Sequence, residues 1–299
     1  MSKSIKKFSV VIPTKNRIND LKKNIYSILN QIEKPSELLI VDQSKKNNLS
    51  ILKRIIQDKV KLKYYYKKNI QSLTEAKNFS LSHIKNDIIF FLEDDIILKK
   101  NFFKAILNIF EKRRNILGVC GILVNERKIN YFSKLYNFLF LNGIFKDIRP
   151  SLWNNGSKEK FIYSNKISGG ISAWRKKVFK KLSFDKNNKL HLFEDVDFSV
   201  RVNKIWPQST GIITLAKVVH KWSPINRSKD LKLIELKIIE AYKFCKKNSN
   251  KKINLELFIY IFGIFLSSLL RSILLVNLSF LKIFFITLLD LKKIKVYSK

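Results

Sequence analysis

Short apolar runs alternate with amphipathic helical patterns from residue 8 to residue 92 of this chain. The apolar runs cover residues 8–12, 37–41, 60–66 and 87–92, and apolar residues at helical spacing cover residues 21–32, 49–56 and 73–84. The runs at 8–12, 37–41 and 87–92 are short, continuous and rich in branched or aromatic residues, as strands buried on both faces are. The alternation therefore predicts an α/β fold with a Rossmann-like, mostly parallel sheet and helices on both of its faces.

The same pattern continues further along the chain. Residues 102–110 are predicted to form a helix, and residues 116–124 and 212–220 are predicted to form strands. Because the chain has 299 residues and 46% of them are hydrophobic, it can bury the core of one such domain and still carry an appendage.

Polar residues follow three of the predicted strands, at the edge where open α/β sheets bind their ligands. They are Thr14 and Asn16 after the first strand, Asp42 after the second, and Glu93, Asp94 and Asp95 after the fourth. We expect these side chains to line a ligand site.

The acidic triplet Glu93-Asp94-Asp95 predicts a metal site. Adjacent anions repel one another unless a cation neutralises them, and carboxylates favour hard ions such as Mg²⁺ or Mn²⁺. Such an ion could bridge the two phosphates of a nucleoside diphosphate. His220, at the end of the last predicted strand, could complete the ligand set or serve as a hydrogen-bonded structural histidine. The alternative for the triplet is an acidic loop on the surface.

A second acidic pair, Glu194-Asp195, lies far along the chain with Asp197 nearby. A carboxylate placed beside an acceptor hydroxyl can remove its proton as the oxygen attacks a sugar carbon. The alternative is an exposed helix N-terminus, where acids are favoured. Gly169 and Gly170 lie between apolar residues, either as a structural turn or as a loop against a ligand.

The formal net charge of the chain is +36. Codon bias is one explanation for this charge, since the abundant Lys, Ile, Asn, Phe and Tyr all have AT-rich codons. Whatever its origin, such a surface attracts anionic lipid, nucleic acid or nucleotide phosphates. The lysines are spread along the chain, without a nucleic-acid-binding signature.

Two cysteines without a CxxC pair argue against a disulfide framework or a thiolate zinc site. The basic N-terminus lacks a signal-peptide pattern, so we expect the enzyme half to face the cytoplasm.

Two segments suggest contact with a membrane. Residues 131–149 are aromatic, apolar and basic together, as in a core helix or in a segment that faces a membrane or an acceptor. The apolar tail is interrupted by Arg271 and Lys282, so we expect one or two helices in the membrane interface, with a soluble helical hairpin as the alternative. The lysines that flank the tail are Lys251, Lys252, Lys292, Lys293 and Lys295.

Taken in order, these segments resemble family 2 glycosyltransferases, which have the GT-A fold. The matching segments are VVIPTKNR at 10–17, LIVDQS at 39–44, EAKNFS at 75–80, DIIFFLEDDII at 87–97, the Gly169-Gly170 pair and the Glu194-Asp195 pair. The resemblance covers roughly residues 8–225. Glu93 replaces the usual first Asp of the metal motif, Lys77 replaces an Arg, and Ser72 replaces a Gly.

The resemblance implies transfer of a sugar from a nucleotide-sugar, by default a UDP-sugar, to an acceptor hydroxyl with inversion. It implies that Asp195 and Glu194 are catalytic, and that Gly169 and Gly170 lie on the acceptor side. Asp95 and Glu93, with His220, are then expected to hold Mg²⁺ or Mn²⁺. The expected nucleotide-sugar-binding residues are Pro13, Thr14, Asn16, Arg17, Asp42, Ser44, Lys77, Asn78, Glu93 and Asp94.

The predicted organisation is a GT-A glycosyltransferase domain at residues 1–230 and a helical, membrane-associating tail at residues 231–299. A glycan or lipid-linked acceptor on the cytoplasmic side of a membrane, in cell-surface polysaccharide or glycolipid synthesis, follows as an expectation. Two alternatives stay open. A nucleotidyltransferase usually has a Gly-rich loop where this chain has Pro13, Thr14 and Lys15. The other is a non-enzymatic, basic protein of the membrane surface.

Overall fold

The computed structural model describes residues 7–126, 130–142, 146–154, 156–188, 192–225, 230–247 and 251–291. The chain forms two compact units. The first contains Met1–Glu126 and Ser151–Asn226, and the second contains Arg127–Pro150 and Arg227–Lys299. The described residues of 130–150 therefore belong to the same unit as the C-terminal helices, although they precede residue 230. The functional division at residue 230 stays a prediction.

The first unit contains one nine-stranded sheet. Its strands are β1 (Ser9–Thr14), β2 (Glu37–Asp42), β3 (Lys61–Tyr66), β4 (Ile88–Leu92), β5 (Ile96–Leu98), β6 (Gly118–Leu123), β7 (Phe161–Tyr163), β8 (Ile171–Arg175) and β9 (Thr210–His220). They are ordered β3-β2-β1-β4-β8-β6-β9-β5, and β7 pairs with β9.

The predicted parallel part of the sheet is confirmed. β1 pairs in parallel with β2 and with β4, and β2 pairs in parallel with β3. Every residue of β1, β2 and β4 is buried, as the continuous apolar runs indicate. β3 is at the edge and is only partly buried; its Lys61 and Lys63 suit an edge strand, because charged side chains discourage pairing with another chain.

Beyond β4 the sheet is mixed. β8 lies antiparallel between β4 and β6, while β9 is parallel to β6 and antiparallel to β5 and β7. The chain leaves the middle of the sheet at the end of β4 and returns to its far edge as β5. The acidic triplet forms the turn between these two strands.

Ten α-helices accompany the strands. They are α1 (Ile18–Leu29), α2 (Leu49–Ile56), α3 (Leu73–Leu81), α4 (Phe102–Lys112), α5 (Tyr131–Tyr136), α6 (Arg149–Leu152), α7 (Glu194–Ile205), α8 (Asp230–Lys247), α9 (Lys251–Leu274) and α10 (Ser279–Asp290) among the described residues. A π-helix spans Asn137–Asn142 and a 3₁₀ helix spans Lys176–Lys180. The sequence-based bounds of α2 are confirmed, and the other predicted helices are shifted by a few residues at their ends.

Aromatic packing fixes the start of α7 against the sheet. Phe198 of α7 lies 4.8 Å from Trp174 of β8 and 4.3 Å from Phe184, measured between ring centroids, and it stacks on Phe179 at 5.4 Å. Such pairs are worth about 0.5–1.5 kcal/mol each beyond the area they bury. The second acidic pair is therefore carried by a helix end that is anchored to the core.

The second unit is helical, and residues 131–142 pack on α9. The Tyr136 hydroxyl donates to the Gly263 carbonyl at 2.5 Å, and a Cβ on Gly263 would lie 2.4 Å from the Cβ of Phe140. The absence of a side chain at Gly263 thus allows Phe140 to pack closely against α9. Tyr131, Phe132 and Phe138 remain exposed, which does not fit the core-helix alternative.

Within the described residues, Leu255–Leu274 of α9 is long and apolar enough to cross a membrane, judged by length and composition. α10 packs back on α9, with Phe265 and Phe284 at 5.5 Å. Residues 292–299, with three of the flanking lysines, lie outside the described residues, as do the side chains of Lys251 and Lys252. Membrane contact of the tail stays a prediction.

Candidate active site

The loops that follow β1 and β2 are joined to each other at the carboxyl edge of the sheet. The amide of Gln43 donates to the carbonyl of Thr14 at 2.9 Å, and the amide of Asn16 donates to Ser44 Oγ at 2.7 Å. The Asn16 side chain accepts from the amide of Lys45 at 2.9 Å. Asn16 has φ of 56°, a left-handed conformation that Asn tolerates better than most residues. The two loops therefore form one surface.

Asp42 is fully buried at the end of β2. Its carboxylate accepts hydrogen bonds from the amide of Ser44 at 2.8 Å, from Asn48 at 2.8 Å and from the Tyr64 hydroxyl at 2.7 Å. Burial and this hydrogen bond raise the pKa of Tyr64, so the hydroxyl stays a donor. A carboxylate offers about four acceptor sites, so these three bonds leave room for one more donor. Asp42 has no exposed surface, and its role in nucleotide-sugar binding stays a prediction.

The turn with the acidic triplet is held by side chains from two other segments. Asn24 of α1 donates to the carbonyls of Glu93 at 3.2 Å and of Ile96 at 2.9 Å. Thr14 donates to Asp94 Oδ2 at 2.7 Å, and Arg17 Nη1 lies 3.1 Å from Asp94 Oδ1. The β1 end, α1 and the acidic turn are thus one hydrogen-bonded structure.

Asp94 itself is buried, and burial raises its pKa to about 6, against the opposing effect of Thr14 and Arg17. The Arg17 guanidinium also lies 3.7 Å from Asp95 and donates through Nε to the carbonyl of Ile225 at 3.0 Å. Arg17 therefore connects the acidic turn to the segment that follows β9. This placement is compatible with the predicted nucleotide-sugar role of Thr14, Arg17 and Asp94.

Glu93, Asp95 and His220 bring their ligand atoms within 4.8 Å of one another, and the group could hold a metal ion. His220 Nε2 lies 3.0 Å from Glu93 Oε2 and 3.2 Å from Asp95 Oδ1. β5 and β9 explain this proximity, because Ile96 is paired with His220 in their antiparallel register. The three side chains that the sequence analysis named as metal ligands therefore lie together.

The environment of His220 keeps it close to the two carboxylates. Asn125 fixes its backbone by donating to the His220 carbonyl at 2.7 Å and accepting from its amide at 2.8 Å. Burial alone would lower the pKa of His220, but the hydrogen bonds to Asp95 and Glu93 and their charges raise it to about 9. The protonated imidazole of His220 thus places a positive charge between the two carboxylates.

The segment after β9 wraps around the same acids. The amide of Lys221 donates to the carbonyl of Asp95 at 2.8 Å, and the amide of Ser223 donates to its carboxylate at 3.0 Å. Trp222, at φ of 53°, packs edge-on against the His220 ring with centroids 4.0 Å apart. Burial would raise the pKa of Asp95, but His220, Arg17 and the Ser223 amide together lower it. Sequence reasoning missed Trp222, Ser223 and Asn125, since no local pattern marks them.

Gly169 and Gly170 lie between the two acidic groups. A Cβ on Gly170 would lie 2.2 Å from Glu93 Oε1, whereas a Cβ on Gly169 would lie 2.8 Å from the Cβ of Asp195. The carbonyl of Gly170 accepts from the amide of Glu93 at 2.9 Å, and the amide of Gly169 donates to Asp195 Oδ2 at 3.2 Å. Two consecutive residues without side chains therefore hold the acids of residues 93–95 close to those of residues 194–195.

Glu194 is buried and paired with Lys77. Lys77 Nζ lies 2.9 Å from Glu194 Oε1 and 3.4 Å from the carbonyl of Gly169, and it lies over the Phe184 ring at 5.0 Å. Burial raises the pKa of Glu194, and the charge of Lys77 opposes that rise. Asp195, the next residue, lies in the first turn of α7 with its carboxylate against Gly169. Lys77 thus contacts the second acidic pair, which the sequence analysis did not anticipate.

The remaining predicted residues have structural contacts. The Asn78 side chain donates to the carbonyl of Phe184 at 2.8 Å and accepts from its amide at 3.0 Å, so it ties α3 to the segment before α7. Pro13 is buried within β1. Ser72, where the family often has Gly, caps α3 by a reciprocal hydrogen-bond pair with Glu75. The nucleotide-sugar roles of Pro13 and Asn78 stay predictions.

A family model described as "Glycosyl transferase family 2" matches residues 9–183. The chain belongs to glycosyltransferase family 2. The match covers more than half of the chain and includes the acidic turn and the glycine pair. The family assignment and the GT-A fold predicted from the sequence are therefore confirmed.

Relatives named as glycosyltransferases are similar to the chain over different lengths. An uncharacterized glycosyltransferase of Rickettsia conorii is 29% identical over 142 residues, which are 48% of this chain and 23% of that protein. The chain thus spans about a quarter of that relative. The GalNAc(5)-diNAcBac-PP-undecaprenol beta-1,3-glucosyltransferase of Campylobacter jejuni is 25% identical over 243 residues, which are 76% of this chain and 78% of that protein.

Solved structures share the fold. Glucosyl-3-phosphoglycerate synthase of Mycobacterium tuberculosis, in complex with Mn²⁺ and UDP-glucose, matches with a TM-score of 0.54 at 16% identity. The match covers 81% of this chain and 78% of that one. At this identity the likeness concerns the fold alone.

Proposed function

We propose that this chain transfers a sugar from a nucleotide-sugar, a UDP-sugar by preference, to an acceptor hydroxyl with inversion at the anomeric carbon. One observation carries the proposal: Gly169 and Gly170 hold Glu93 and Asp195 on either side of a two-residue spacer. A site for a diphosphate and a site for an incoming alcohol then lie next to each other. Family membership and the Campylobacter relative support the same reaction class.

The nucleoside end of the donor is assigned to the joined loops after β1 and β2. Asn16, Arg17 and Ser44 present polar groups there, and Asp42 lies buried beneath them with an acceptor site to spare. The parallel strands β1 and β2 end side by side at the carboxyl edge of the sheet, which is the edge where open α/β sheets bind their ligands. Thr14 and Arg17 hold Asp94 between this surface and the predicted diphosphate site.

The group of Glu93, Asp95 and His220 fits a divalent cation. The two carboxylates suit Mg²⁺ or Mn²⁺, and the imidazole of His220 adds a nitrogen ligand. Glu93 keeps 44% of its side chain exposed, which leaves room for an ion to enter. Such an ion, when bound, would neutralise charge on the departing diphosphate. Around it, Arg17 holds Asp94, and the Ser223 amide holds the Asp95 carboxylate in place.

Asp195 is assigned as the general base. Its carboxylate accepts the proton of the acceptor hydroxyl while that oxygen forms a bond to the anomeric carbon. The bond between the anomeric carbon and the phosphate oxygen breaks, and the nucleoside diphosphate leaves with those electrons. Attack from the side opposite to the leaving group inverts the anomeric centre. Glu194 is held beside the base by Lys77.

We further propose that the acceptor is a glycan or a lipid-linked glycan and that the chain acts at the cytoplasmic side of a membrane. The undecaprenol-linked acceptor in the name of the Campylobacter relative supports a lipid-linked substrate. The apolar α9 and the exposed aromatic side chains of residues 131–138 support membrane contact.

The test measures nucleoside diphosphate released from a panel of nucleotide-sugars with Mn²⁺. We expect slow release from the matching donor, loss of release with EDTA and recovery when Mn²⁺ is restored. Asp195→Asn should abolish transfer to an added glycan acceptor while nucleotide binding persists, because the amide cannot accept the proton. Asp87→Asn is the matched control, since Asp87 is exposed at the amino end of β4.

Three outcomes would contradict the proposal. Full transfer by Asp195→Asn would show that Asp195 is not the general base. Turnover that EDTA does not reduce would show that the reaction does not need a metal ion. Release of pyrophosphate instead of a nucleoside diphosphate would indicate a nucleotidyltransferase.

A further inference from the structure

The turn between α9 and α10 exposes an unusual concentration of apolar side chains. Its members are Ile273 (65% exposed), Leu274 (70%), Leu275 (62%), Val276 (93%) and Leu278 (74%). We call these five residues the hairpin tip. Scattered exposed apolar residues are common on soluble proteins, but contiguous ones mark interaction sites.

The backbone of the hairpin tip is suited to an apolar medium. The amide of Val276 donates to the carbonyl of Ile273 at 3.2 Å, and the amide of Asn277 donates to the carbonyl of Ser272 at 3.0 Å. The Asn277 side chain accepts from the amide of Ser279 at 2.9 Å. Two carbonyls at the end of α9 and one amide at the start of α10, which would otherwise be left to water, are therefore bonded within the turn.

Val276 has φ of 48° at the position where this type of helix end normally has Gly. A branched side chain is disfavoured in that conformation. A residue that strains the turn and leaves its side chain almost fully exposed has no stabilising role in the folded chain in water. An apolar partner outside the chain explains why an apolar residue occupies this place.

Cationic side chains flank the hairpin tip on both helices. Arg271 precedes it on α9 with its side chain 44% exposed, and Lys282 follows it on α10 and is exposed. Arg271 also lies over the Phe280 ring at 6.0 Å, which joins the two helices at this level. With a rise of about 1.5 Å per residue, each cation lies roughly 6–9 Å from Val276 along its helix.

We propose that the hairpin tip inserts into one leaflet of an anionic lipid bilayer, with Arg271 and Lys282 at the level of the lipid phosphates. The distance between the cations and Val276 matches the depth of about 5–10 Å that interfacial helices reach. The positive flanks and the net charge of +36 complement anionic lipid. This inference deepens the membrane contact proposed above and does not depend on sugar transfer.

Insertion by the hairpin tip differs from a membrane span. α10 has 12 residues, or about 18 Å of helix, whereas the hydrocarbon core is about 30 Å thick. α10 also stays packed on α9 through Phe265, Phe284 and Phe285. If α9 spanned the bilayer, α10 would accompany it and draw Asp290, at the end of α10 away from the tip, into the hydrocarbon.

The experiment labels the full chain at one introduced cysteine with a polarity-sensitive fluorophore. The native Cys120 and Cys245 are buried, so labelling is directed to the new site. Val276→Cys places the label at the tip, and Leu215→Cys, at an exposed residue of β9, is the control. Vesicles of phosphatidylcholine, with or without 30% phosphatidylglycerol as a chosen composition, are added to each protein.

With the anionic vesicles, we expect the fluorescence emission of the label at position 276 to shift to the blue. We also expect it to be quenched by lipids that carry a quencher near the headgroup. The label at position 215 should show neither effect. Leu275→Asp with Val276→Asp should weaken vesicle binding at least tenfold, whereas Leu215→Asp should leave it unchanged. Three results would overturn the proposal: a label at position 276 that stays in water on bound protein, quenching at bilayer-centre depth, or self-association without lipid that the tip substitutions abolish.

Release of nucleoside diphosphate from a soluble nucleotide-sugar, measured without vesicles, separates this inference from the proposed function. Tip variants with wild-type release are folded, so their loss of vesicle binding reports the tip. If the wild-type protein inserts its tip but releases nothing from any donor, the proposed function fails and the membrane inference stands.

Discussion

Replacing Gly170 by Ala tests whether the glycine pair positions the metal group. The new Cβ would lie 2.2 Å from Glu93 Oε1 and 2.3 Å from Glu93 Cδ, far inside van der Waals contact. Because the Glu93 side chain is 44% exposed, it can swing into solvent and relieve the clash. We therefore expect the free energy of unfolding to fall by less than about 1 kcal/mol, below the usual cost of overpacking a core. Swinging out removes Glu93 from His220 and Asp95.

The expected consequence is a loss of Mn²⁺ affinity of about 10–100-fold, the range seen when a ligand loses its support. Calorimetric titration with Mn²⁺ measures the affinity, and thermal unfolding measures stability. Glu93→Ala should weaken binding to a similar extent. The double variant should lose no more than either single one, since both act through the same carboxylate.

Additive losses in the double variant would refute this reasoning, because Gly170 would then act on the site without Glu93. Wild-type Mn²⁺ affinity in Gly170→Ala would refute the placement of the glycine against the metal group. A large loss of stability would show that the backbone, and not the flexible carboxylate, has to move.

Two further predictions concern charges that are buried away from the metal group. Lys77→Met leaves the buried Glu194 without its cation, and we expect the free energy of unfolding to fall by about 3–5 kcal/mol. Urea unfolding measures this loss of stability, which should be smaller at low pH because a protonated Glu194 needs no counter-charge. Burial would raise the pKa of Glu37, but Lys63, Ser9 and the Lys85 amide together lower it. Glu37 therefore stabilises the fold fully above its ordinary value of 4.5, and this contribution is lost as the pH falls through the lowered pKa. Glu37→Gln should cost about 1.5–3 kcal/mol at pH 7, and its stability should converge with that of the wild type once the pH falls below the lowered pKa of Glu37. Wild-type stability of Glu37→Gln at pH 7 would contradict this prediction.

The parallel half of the sheet could be predicted from sequence, whereas in the other half only β6 and β9 were predicted as strands and their pairing was not. β1, β2 and β4 are central strands buried on both faces, so each appears as an unbroken apolar run. β5 and β7 have three residues each, too few to show a period, and their pairing with β9 joins residues far apart in the chain. A local pattern holds no information about such pairing.

The same distinction applies to the site. Acidic pairs and adjacent glycines are visible because consecutive residues of one kind are unusual, so residues 93–95, 169–170 and 194–195 could be named in advance. Trp222 and Asn125 could not, since each acts on His220 through a contact made only in the folded chain. The contact of Lys77 with Glu194 was missed for the same reason.

The arrangement of charges explains how one site can hold so many acids. Each carboxylate group faces a cation from a different segment: Asp94 faces Arg17, and Glu194 faces Lys77. Glu93 and Asp95 face His220, the only one of these cations that can lose its charge near neutral or mildly basic pH. A divalent ion can therefore replace the proton of His220 while Arg17 and Lys77 stay in place. The charge of Glu93 also acts on Glu194, but Glu194 has its own cation in Lys77. We therefore expect removal of the metal to leave the Lys77–Glu194 pair, and with it the position of Asp195, intact.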